Sequence, residues 1–183
     1  MKLLKKLNKS LKKKLSIRIN LFHPKNDYKD CIVLKVEQKY IIVADFKDFL
    51  FYGISIIPKS NIKSIRDNKY EKCENKIIRN NKEIKKAKLP KYLKNFSNIT
   101  KTMKVLKKLA IWPSIESINP NKNNSSAYFI GPITKIKKNS LKIYCYDAKG
   151  KWENIYKIKY SNISNITVTG KYEKSFNTYM KNK

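Results

Sequence analysis

The sequence has 183 residues, of which 41% are hydrophobic, and this is enough apolar and β-branched material to exclude a disordered chain. Its 43 Lys and Arg stand against 13 Asp and Glu, so the formal net charge is +30 and a polyanionic partner is favoured. A genome rich in A and T also inflates Lys, but it does not explain the shortage of acids, whose codons are compatible with such a genome.

The cysteines and the hydropathy pattern bear on location. Cys31, Cys73 and Cys145 are odd in number, far apart and never in a Cys-x-x-Cys pair, so neither a disulfide framework nor a zinc site is supported. The first residues lack the uninterrupted apolar stretch of a secretory signal, and no apolar run is long enough to span a membrane. We therefore expect a soluble protein of the reducing cytoplasm, without an integral membrane segment.

The first half of the chain begins with a predicted basic helix. Its leucines recur at a spacing of three or four residues, at Leu4, Leu7, Leu11 and Leu15. Three short runs typical of strands follow, Cys31–Val36, Tyr40–Ala44 and Gly53–Ile57. The pattern then predicts a helix from Tyr70 to about Lys88, which Pro90 stops.

The second half has the same order of elements. Thr100 is the predicted N-cap of a helix with an apolar stripe at Met103, Leu106, Leu109 and Ala110. Strand-like runs follow at Tyr128–Ile130, Leu141–Tyr146 and Ile155–Ile158. The chain ends with a predicted helix from Lys171 to Met180.

Two stretches of the sequence are nearly the same. Lys59–Lys72 reads KSNIKSIRDNKYEK, and Tyr160–Lys174 reads YSNISNITVTGKYEK. Because the runs before them also correspond, the sequence predicts a tandem repeat. We place an N-terminal basic helix, a first small barrel and an exit helix in residues 1–90, and a linker helix, a second barrel and a C-terminal helix in residues 98–183.

Each repeat has five short strand patterns separated by turn residues, which is typical of a small antiparallel sheet or barrel. The order of a leading strand, a long loop, three meandering strands and a tight break before the fifth strand resembles the SH3-like and Sm-like barrels. Ile57–Ile65 is similar to the second Sm signature, although Pro58-Lys59 replaces its Arg-Gly pair. The predicted fold class is α+β, mainly β, with two tandem five-stranded barrels and basic flanking helices.

The second repeat also resembles a group of uncharacterised bacterial proteins. The similarity covers about Tyr128 to Tyr179 and is carried by a Gly-Lys-Trp turn at residues 150–152 and a closing Gly-Lys-Tyr-Glu at residues 170–173. This resemblance supports a fold and implies no activity.

The sequence has few residues in patterns typical of catalytic sites. His23 is the only histidine and has no sequence cue to a nucleophile or metal partner. The acids come singly or in loose pairs, such as Asp27 with Asp30 and Asp45 with Asp48, which are typical of solvated turns. Four scattered glycines make no phosphate-binding loop. We therefore expect a protein that is not an enzyme, with no metal and no cofactor.

RNA or DNA binding is better supported than catalysis, because clustered basic residues favour phosphate contacts. Only three of the basic residues are Arg, the residue suited to reading bases, so binding is expected to be mostly independent of sequence. Aromatic residues near lysines could add base stacking; these are Phe49, Phe51, Tyr52, Tyr144, Tyr146, Trp152 and Tyr156. The candidate nucleic-acid-binding residues are Lys12, Lys13, Lys14, Arg18, Lys85, Lys86, Lys107, Lys108, Lys137 and Lys138.

The same basic and aromatic pattern is compatible with two further functions. The protein could be an interaction adaptor for an acidic protein partner, with a charge that reflects genome composition. The first helix could lie on an anionic membrane surface, although packing of its Leu stripe against the first barrel explains the pattern as well. The aromatic residues alternate as core-facing or cross-strand residues do. The sequence does not indicate an oligomeric state.

Overall fold

The computed structural model of the protein describes residues 2–119 and 125–183. The chain forms two compact units, Met1–Leu89 and Pro90–Lys183, which we call unit 1 and unit 2. Both combine helices with antiparallel strands, so the predicted α+β, sheet-rich class is confirmed. Within the described ranges no helix has the length and apolar character needed to cross a membrane.

Unit 1 is a five-stranded antiparallel sheet with a helix at each end of its sequence. The strand order is β5-β1-β2-β3-β4. The bounds of these elements are α1 Lys2–Lys13, β1 Ser16–Leu21, β2 Tyr28–Val36, β3 Tyr40–Lys47, β4 Leu50–Pro58, β5 Ile62–Arg66 and α2 Lys69–Asn80. A short 3-10 turn at Lys59–Asn61 joins β4 to β5.

The core of unit 1 follows from the period-two alternation of its strands. On β1, Ile17, Ile19 and Leu21 are buried on one face, and Leu7 of α1 packs into the same cluster. Ile57 of β4 and Ile62 of β5 also belong to it, although these strands lie at opposite edges of the sheet order. The sheet must therefore curve around a single core.

Unit 2 has two three-stranded antiparallel sheets. β6 pairs with both β7 and β11 in one sheet, and β9 pairs with both β8 and β10 in the other. The bounds are α3 Ile99–Lys108, β6 Ser114–Asn119, β7 Ser125–Ile130, β8 Ile133–Ile136, β9 Ser140–Tyr146, β10 Trp152–Lys159, β11 Ile163–Thr167 and α4 Lys171–Lys181.

The element order of unit 1 recurs in unit 2. A 3-10 turn at Tyr160–Asn162 lies between β10 and β11, as the turn at Lys59–Asn61 lies between β4 and β5. β7 and β8 together correspond to β2, which Gly131 and Pro132 divide in unit 2. All described pairings belong to open sheets, and none joins β4 to β5, so closure into barrels stays a prediction.

The structure corrects two predicted helix boundaries. α2 ends at Asn80 rather than near Lys88, because Lys82 adopts a left-handed conformation with a φ of 58° and the chain continues as a short 3-10 turn. Asn98, not Thr100, caps α3, since its side chain accepts a hydrogen bond from the N–H of Lys101. The C-terminal helix is confirmed as α4.

Candidate nucleic-acid interface

Most lysines have no carboxylate counterpart in this chain. Even if each of the 13 acids paired with one basic residue, the formal charge would leave 30 basic side chains without a partner. Several acids also serve local structure. Glu83 accepts the N–H of Phe51, and Asp147 accepts the N–H groups of Lys149 and Lys151 in a turn. The positive charge is therefore available at the surface.

Unit 2 brings together two lysine pairs that are about 30 residues apart in sequence. The Thr100 hydroxyl on α3 donates to the carbonyl of Lys138 at 3.4 Å. Further along the helix, the Lys107 ammonium donates to the carbonyl of Thr134 on β8. These two contacts align α3 with β8 and the turn that follows it.

The spacing on α3 adds a further lysine to this surface. Thr100 and Lys107 are seven residues apart and both contact β8 or its turn, so they lie on the same side of the helix. Lys104 lies between them, and Lys108 follows it by one turn. The helix buries its other side at Ile99, Thr102, Met103 and Leu106. We call the exposed group the α3–β8 basic surface: Lys104, Lys107, Lys108, Lys137 and Lys138.

Unit 1 has a second basic group at the C-terminal ends of its two helices. Lys12, Lys13 and Lys14 are exposed, and Arg79 of α2 donates to the carbonyls of Lys13 and Lys14 at 3.3 Å each. Cations near a helix C-terminus also stabilise the helix dipole, so this placement has a structural benefit of its own. We call Lys12, Lys13, Lys14 and Arg79 the α1–α2 basic surface.

Arg18 does not lie on either surface. Its Nε and Nη2 donate to the two carboxylate oxygens of Asp30, each at 2.7 Å, and its guanidinium lies 3.7 Å from the centre of the Tyr28 ring. The hydrogen bond to Asp30 raises the pKa of Arg18 further above its already high value. Arg18 is therefore held by its own chain rather than presented to a phosphate.

Lys85 and Lys86 lie in the 3-10 turn after α2 and are both exposed. The Lys86 ammonium lies 2.5 Å from the buried carboxylate of Glu83, so it neutralises a charge that unit 1 has removed from water. Within the described residues Lys85 is in no such ion pair, so of the two it is the one that stays a candidate for contact with phosphate.

Most of the aromatic stacking candidates pack against other rings of the chain. Tyr144 stacks on Trp152 with ring centres 4.6 Å apart, and Tyr146 is buried. Phe51 meets Phe46 edge to face at 6.2 Å. Tyr156 packs on Phe129 with ring centres 5.3 Å apart. Of the seven residues, Phe49 is the one with nearly half of its surface exposed, 45%, at the tip of the β3–β4 hairpin.

The remaining polar candidates take structural roles. The backbone N–H of His23 donates to Asn61 Oδ1 at 2.9 Å, and Asn61 Nδ2 donates back to the carbonyl of His23 at 2.7 Å. The three cysteines are free, with Cys31 and Cys145 buried. Across residues 2–119 and 125–183, no group of three or more His, Cys, Asp or Glu is arranged to hold a metal ion.

Sequence reasoning missed Lys104 and Arg79 as members of the two surfaces. Lys104 stands alone between Met103 and Val105, so a search for adjacent lysines passes over it. The helical period would have found it, because it lies three residues before Lys107 and four before Lys108. Arg79 contacts carbonyls 65 and 66 residues away, and no local pattern marks that contact.

Comparisons with protein-family models, with curated proteins and with solved structures found no match to this chain.

Proposed function

We propose that this chain is a non-catalytic cytoplasmic protein that binds RNA or DNA through lysine-rich surfaces. In this proposal its two units act as small SH3-like or Sm-like barrels, each with a basic surface beside it. The observation that carries the proposal is the α3–β8 basic surface, where a helix and a strand turn bring five exposed lysines together. Such a group matches the phosphates of a nucleic-acid backbone.

The use of the three arginines supports binding without strong sequence preference. Arg18 is paired with Asp30, Arg66 Nε donates to Glu71 at 2.8 Å, and Arg79 donates to two carbonyls. Arg is the side chain that reads guanine in two hydrogen bonds, and all three are already engaged in unit 1. Lysines, which act as point charges on phosphates, therefore supply most of the contacts, and Arg79 adds its charge to the α1–α2 basic surface.

The test is fluorescence anisotropy with labelled single-stranded RNA and DNA of mixed sequence. In the variant with Lys107, Lys108, Lys137 and Lys138 all changed to Gln, we expect at least about tenfold weaker binding at moderate salt. The slope of log affinity against log salt should also become shallower by about 3, since each lost phosphate contact in a single strand contributes about 0.7. Sequence-scrambled probes should lose affinity to the same degree.

The matched control changes Lys149, Lys151, Lys171 and Lys174 to Gln. These lysines are also exposed in unit 2, so the control removes the same charge without touching the α3–β8 basic surface. It should weaken binding much less. Equal losses in both variants would show that net charge alone drives the association. No binding by the unaltered protein would overturn the proposal and favour an acidic protein as the partner.

A further inference from the structure

Unit 1 contains a cleft lined by more acidic than basic side chains, although the formal net charge of the chain is +30. Its volume is about 610 Å³, within the range typical of small-molecule sites. Strands β1 and β2, the β3–β4 turn, the end of β5 and helix α2 all contribute to its walls. The cleft therefore lies wholly within one compact unit.

The lining of this cleft is acidic and aromatic. Four carboxyl groups, those of Asp30, Asp48, Glu71 and Glu74, face two guanidinium groups, those of Arg18 and Arg66. In a chain of net charge +30, this is a local excess of negative charge. Three partly exposed rings, Tyr28, Phe49 and Tyr70, line the same space.

The two arginines neutralise only half of these carboxyl groups. Arg18 pairs with Asp30 at 2.7 Å, and Arg66 pairs with Glu71 at 2.8 Å. Within the part of the chain that the structure describes, neither Asp48 nor Glu74 is in a salt bridge. The cleft thus has room for additional positive charge.

Glu74 is the one carboxyl residue of the lining that is buried and not in a salt bridge. It lies on α2 with only 9% of its surface exposed. Burial raises the pKa of its carboxyl group to about 7, and the negative charges of Asp30 and Glu71 add to the rise. A hydrogen bond to Ser16 and the positive charge of Arg18 oppose it. A buried acid without a basic partner is costly to ionise, and a cation in the cleft would reduce that cost.

The repeat shows which side chains occupy the equivalent positions in unit 2. Alignment of the two Lys-Tyr-Glu-Lys segments that open α2 and α4 matches Glu74 to Phe176 and Tyr70 to Tyr172. In unit 2, the Phe176 ring is stacked on both neighbours, 4.9 Å from Tyr146 and 5.6 Å from Tyr172. Unit 1 therefore has a buried carboxyl group where unit 2 has a partly buried aromatic ring packed against its core.

The strand pair beneath the cleft differs in the same way. Ser16 pairs with Ile32 in unit 1, and Ser114 pairs with Ile130 in unit 2, so the cross-strand pair Arg18 and Asp30 corresponds to Glu116 and Tyr128. Tyr128 donates its hydroxyl to Glu173 at 3.1 Å. Unit 2 thus keeps an acid at the position of Glu71, as Glu173, but it has Glu116 in place of Arg18 and uncharged rings in place of Asp30 and Glu74. The common fold therefore does not require the charge arrangement of the unit 1 cleft.

We propose that the unit 1 cleft binds an organic cation, an alkylammonium group on a short aliphatic stem, with Glu74 as its counter-ion and Phe49 and Tyr70 against the stem. Aromatic faces attract cations, and Arg18 already lies 3.7 Å from the Tyr28 ring centre in this cleft. The rings favour an organic cation over a metal ion, whose ligands in proteins are oxygen, nitrogen and sulfur atoms.

Because the protein has a strongly positive net charge, it repels small cations from most of its surface, and non-specific binding of the probe should be weak. The probe is 1,4-diaminobutane, with 1,4-butanediol as the uncharged control, measured by isothermal titration calorimetry. We expect saturable binding of the diamine with a dissociation constant below about 1 mM and no binding of the diol. Equal binding of both compounds, or of neither, would overturn the proposal.

The pH dependence follows from the groups around Glu74, which are Arg18 on β1, Asp30 on β2, Asp48 in the β3–β4 turn, Arg66 on β5, and Glu71 and Cys73 on α2. Glu74 pairs with the cation only when ionised. With a pKa of about 7, its ionised fraction is about tenfold lower at pH 6 than at pH 8, so affinity should fall about tenfold. Constant affinity between these pH values would contradict the role of Glu74.

Two variants and a control separate binding from folding. Glu74→Gln should weaken diamine binding at pH 8 at least about tenfold, while Glu153→Gln, an exposed acid of unit 2, should leave it unchanged. Since an acid whose pKa is raised by folding destabilises the folded state above that pKa, Glu74→Gln should unfold at an equal or higher urea concentration at pH 8.

Phe49→Ala provides the second variant, because this ring lies at an exposed hairpin tip and contributes little to the core. We expect severalfold weaker diamine binding with no change in unfolding. Full affinity in both Glu74→Gln and Phe49→Ala would show that the diamine binds elsewhere and would overturn the assignment. Oligonucleotide binding should be unaffected by either variant, so this proposal and the nucleic-acid proposal fail independently.

Discussion

At the scale of single residues, one asparagine in each unit ties the last helix to the first part of the sheet. Asn75 Oδ1 accepts the N–H of Ser16 at 2.7 Å, and its Nδ2 donates to the carbonyl of Ser16 at 3.1 Å. Asn177, at the corresponding place in α4, donates to the carbonyl of Trp112 at 2.8 Å. Asn75 thus satisfies buried backbone groups that strand pairing leaves free, and Asn177 holds the segment that leads into β6.

Replacement of Asn75 with Ala should lower the free energy of unfolding more than a surface substitution of the same size would. It would leave the N–H and carbonyl of Ser16 without these partners in a buried environment, where each unpaired group costs about 1–3 kcal/mol. We expect the free energy of unfolding to fall by about 3 kcal/mol in urea titrations followed by circular dichroism.

The control for this measurement is Asn80→Ala, at the exposed end of the same helix. A surface change of this kind should stay within about 0.5 kcal/mol of the unaltered protein. If both variants were equally stable, the hydrogen bonds of Asn75 would make no net contribution to the free energy of unfolding. Packing alone would then hold α2 on the sheet.

At the scale of elements, the two units differ most in their second strand. β2 is continuous with a register shift between Val33 and Lys35, whereas the corresponding segment of unit 2 is divided into β7 and β8. Gly131 lies at the division with a φ of +144°. A Cβ there would come within 2.0 Å of the carbonyl oxygen of Tyr144, so only glycine fits this bend.

Gly131→Ala should therefore destabilise unit 2 by more than about 2 kcal/mol, because both the backbone conformation and the approach of Tyr144 oppose a side chain. Gly150→Ala is the control, in which we expect a smaller loss of stability. Its φ is +73°, but a Cβ there would first meet the Tyr179 ring at 2.6 Å, and a side chain can move aside more easily than a carbonyl. A larger loss of stability in Gly150→Ala than in Gly131→Ala, by urea titration, would contradict this account of the bend.

Sequence patterns predicted the elements whose signals are local. The leucine spacing of α1, the Ser-Asn-Ile turns and the Lys-Tyr-Glu-Lys helix starts each lie within one or two turns of chain, and the structure has an element at each of them. The end of α2 was not predictable in this way, because Lys82 takes a left-handed conformation that its residue type does not favour.

The candidate sites were predictable only in part, because they depend on contacts between distant segments. The pairs Lys107-Lys108 and Lys137-Lys138 are visible as charge clusters, but their common surface depends on where α3 lies against β8. Arg18 has the sequence features of a phosphate ligand, yet strand pairing places it opposite Asp30. The acidic cleft has no sequence signal at all, since its carboxyl groups are spread from residue 30 to residue 74.

At the scale of the whole molecule, both units contribute equally to the positive charge. Residues 1–89 have 24 basic and nine acidic residues, and residues 90–183 have 19 and four, so each unit has a net charge of +15. Such charge opposes compactness through self-repulsion, and a polyanion that neutralises it is favoured by the same electrostatics. Two basic surfaces on one chain also allow one polyanion to be held at two places, with a gain in avidity.

This charge distribution predicts how the protein should behave during purification. With two Trp and 12 Tyr, the protein alone absorbs more at 280 nm than at 260 nm. If the lysines bind nucleic acid in the cell, protein isolated gently near 50 mM salt should carry it and show excess absorbance at 260 nm. A high-salt wash should remove that excess, because phosphate contacts weaken steeply as counterion concentration rises.

The control is the variant in which Lys107, Lys108, Lys137 and Lys138 are replaced by Gln, purified in parallel. Its net charge is still strongly positive, so co-purification driven by charge alone should continue at nearly the same level. Loss of the 260 nm excess in this variant would instead assign the binding to the α3–β8 basic surface. A pure protein spectrum for the unaltered chain at low salt would mean that its charge reflects codon usage, and an acidic protein would then be the partner to seek.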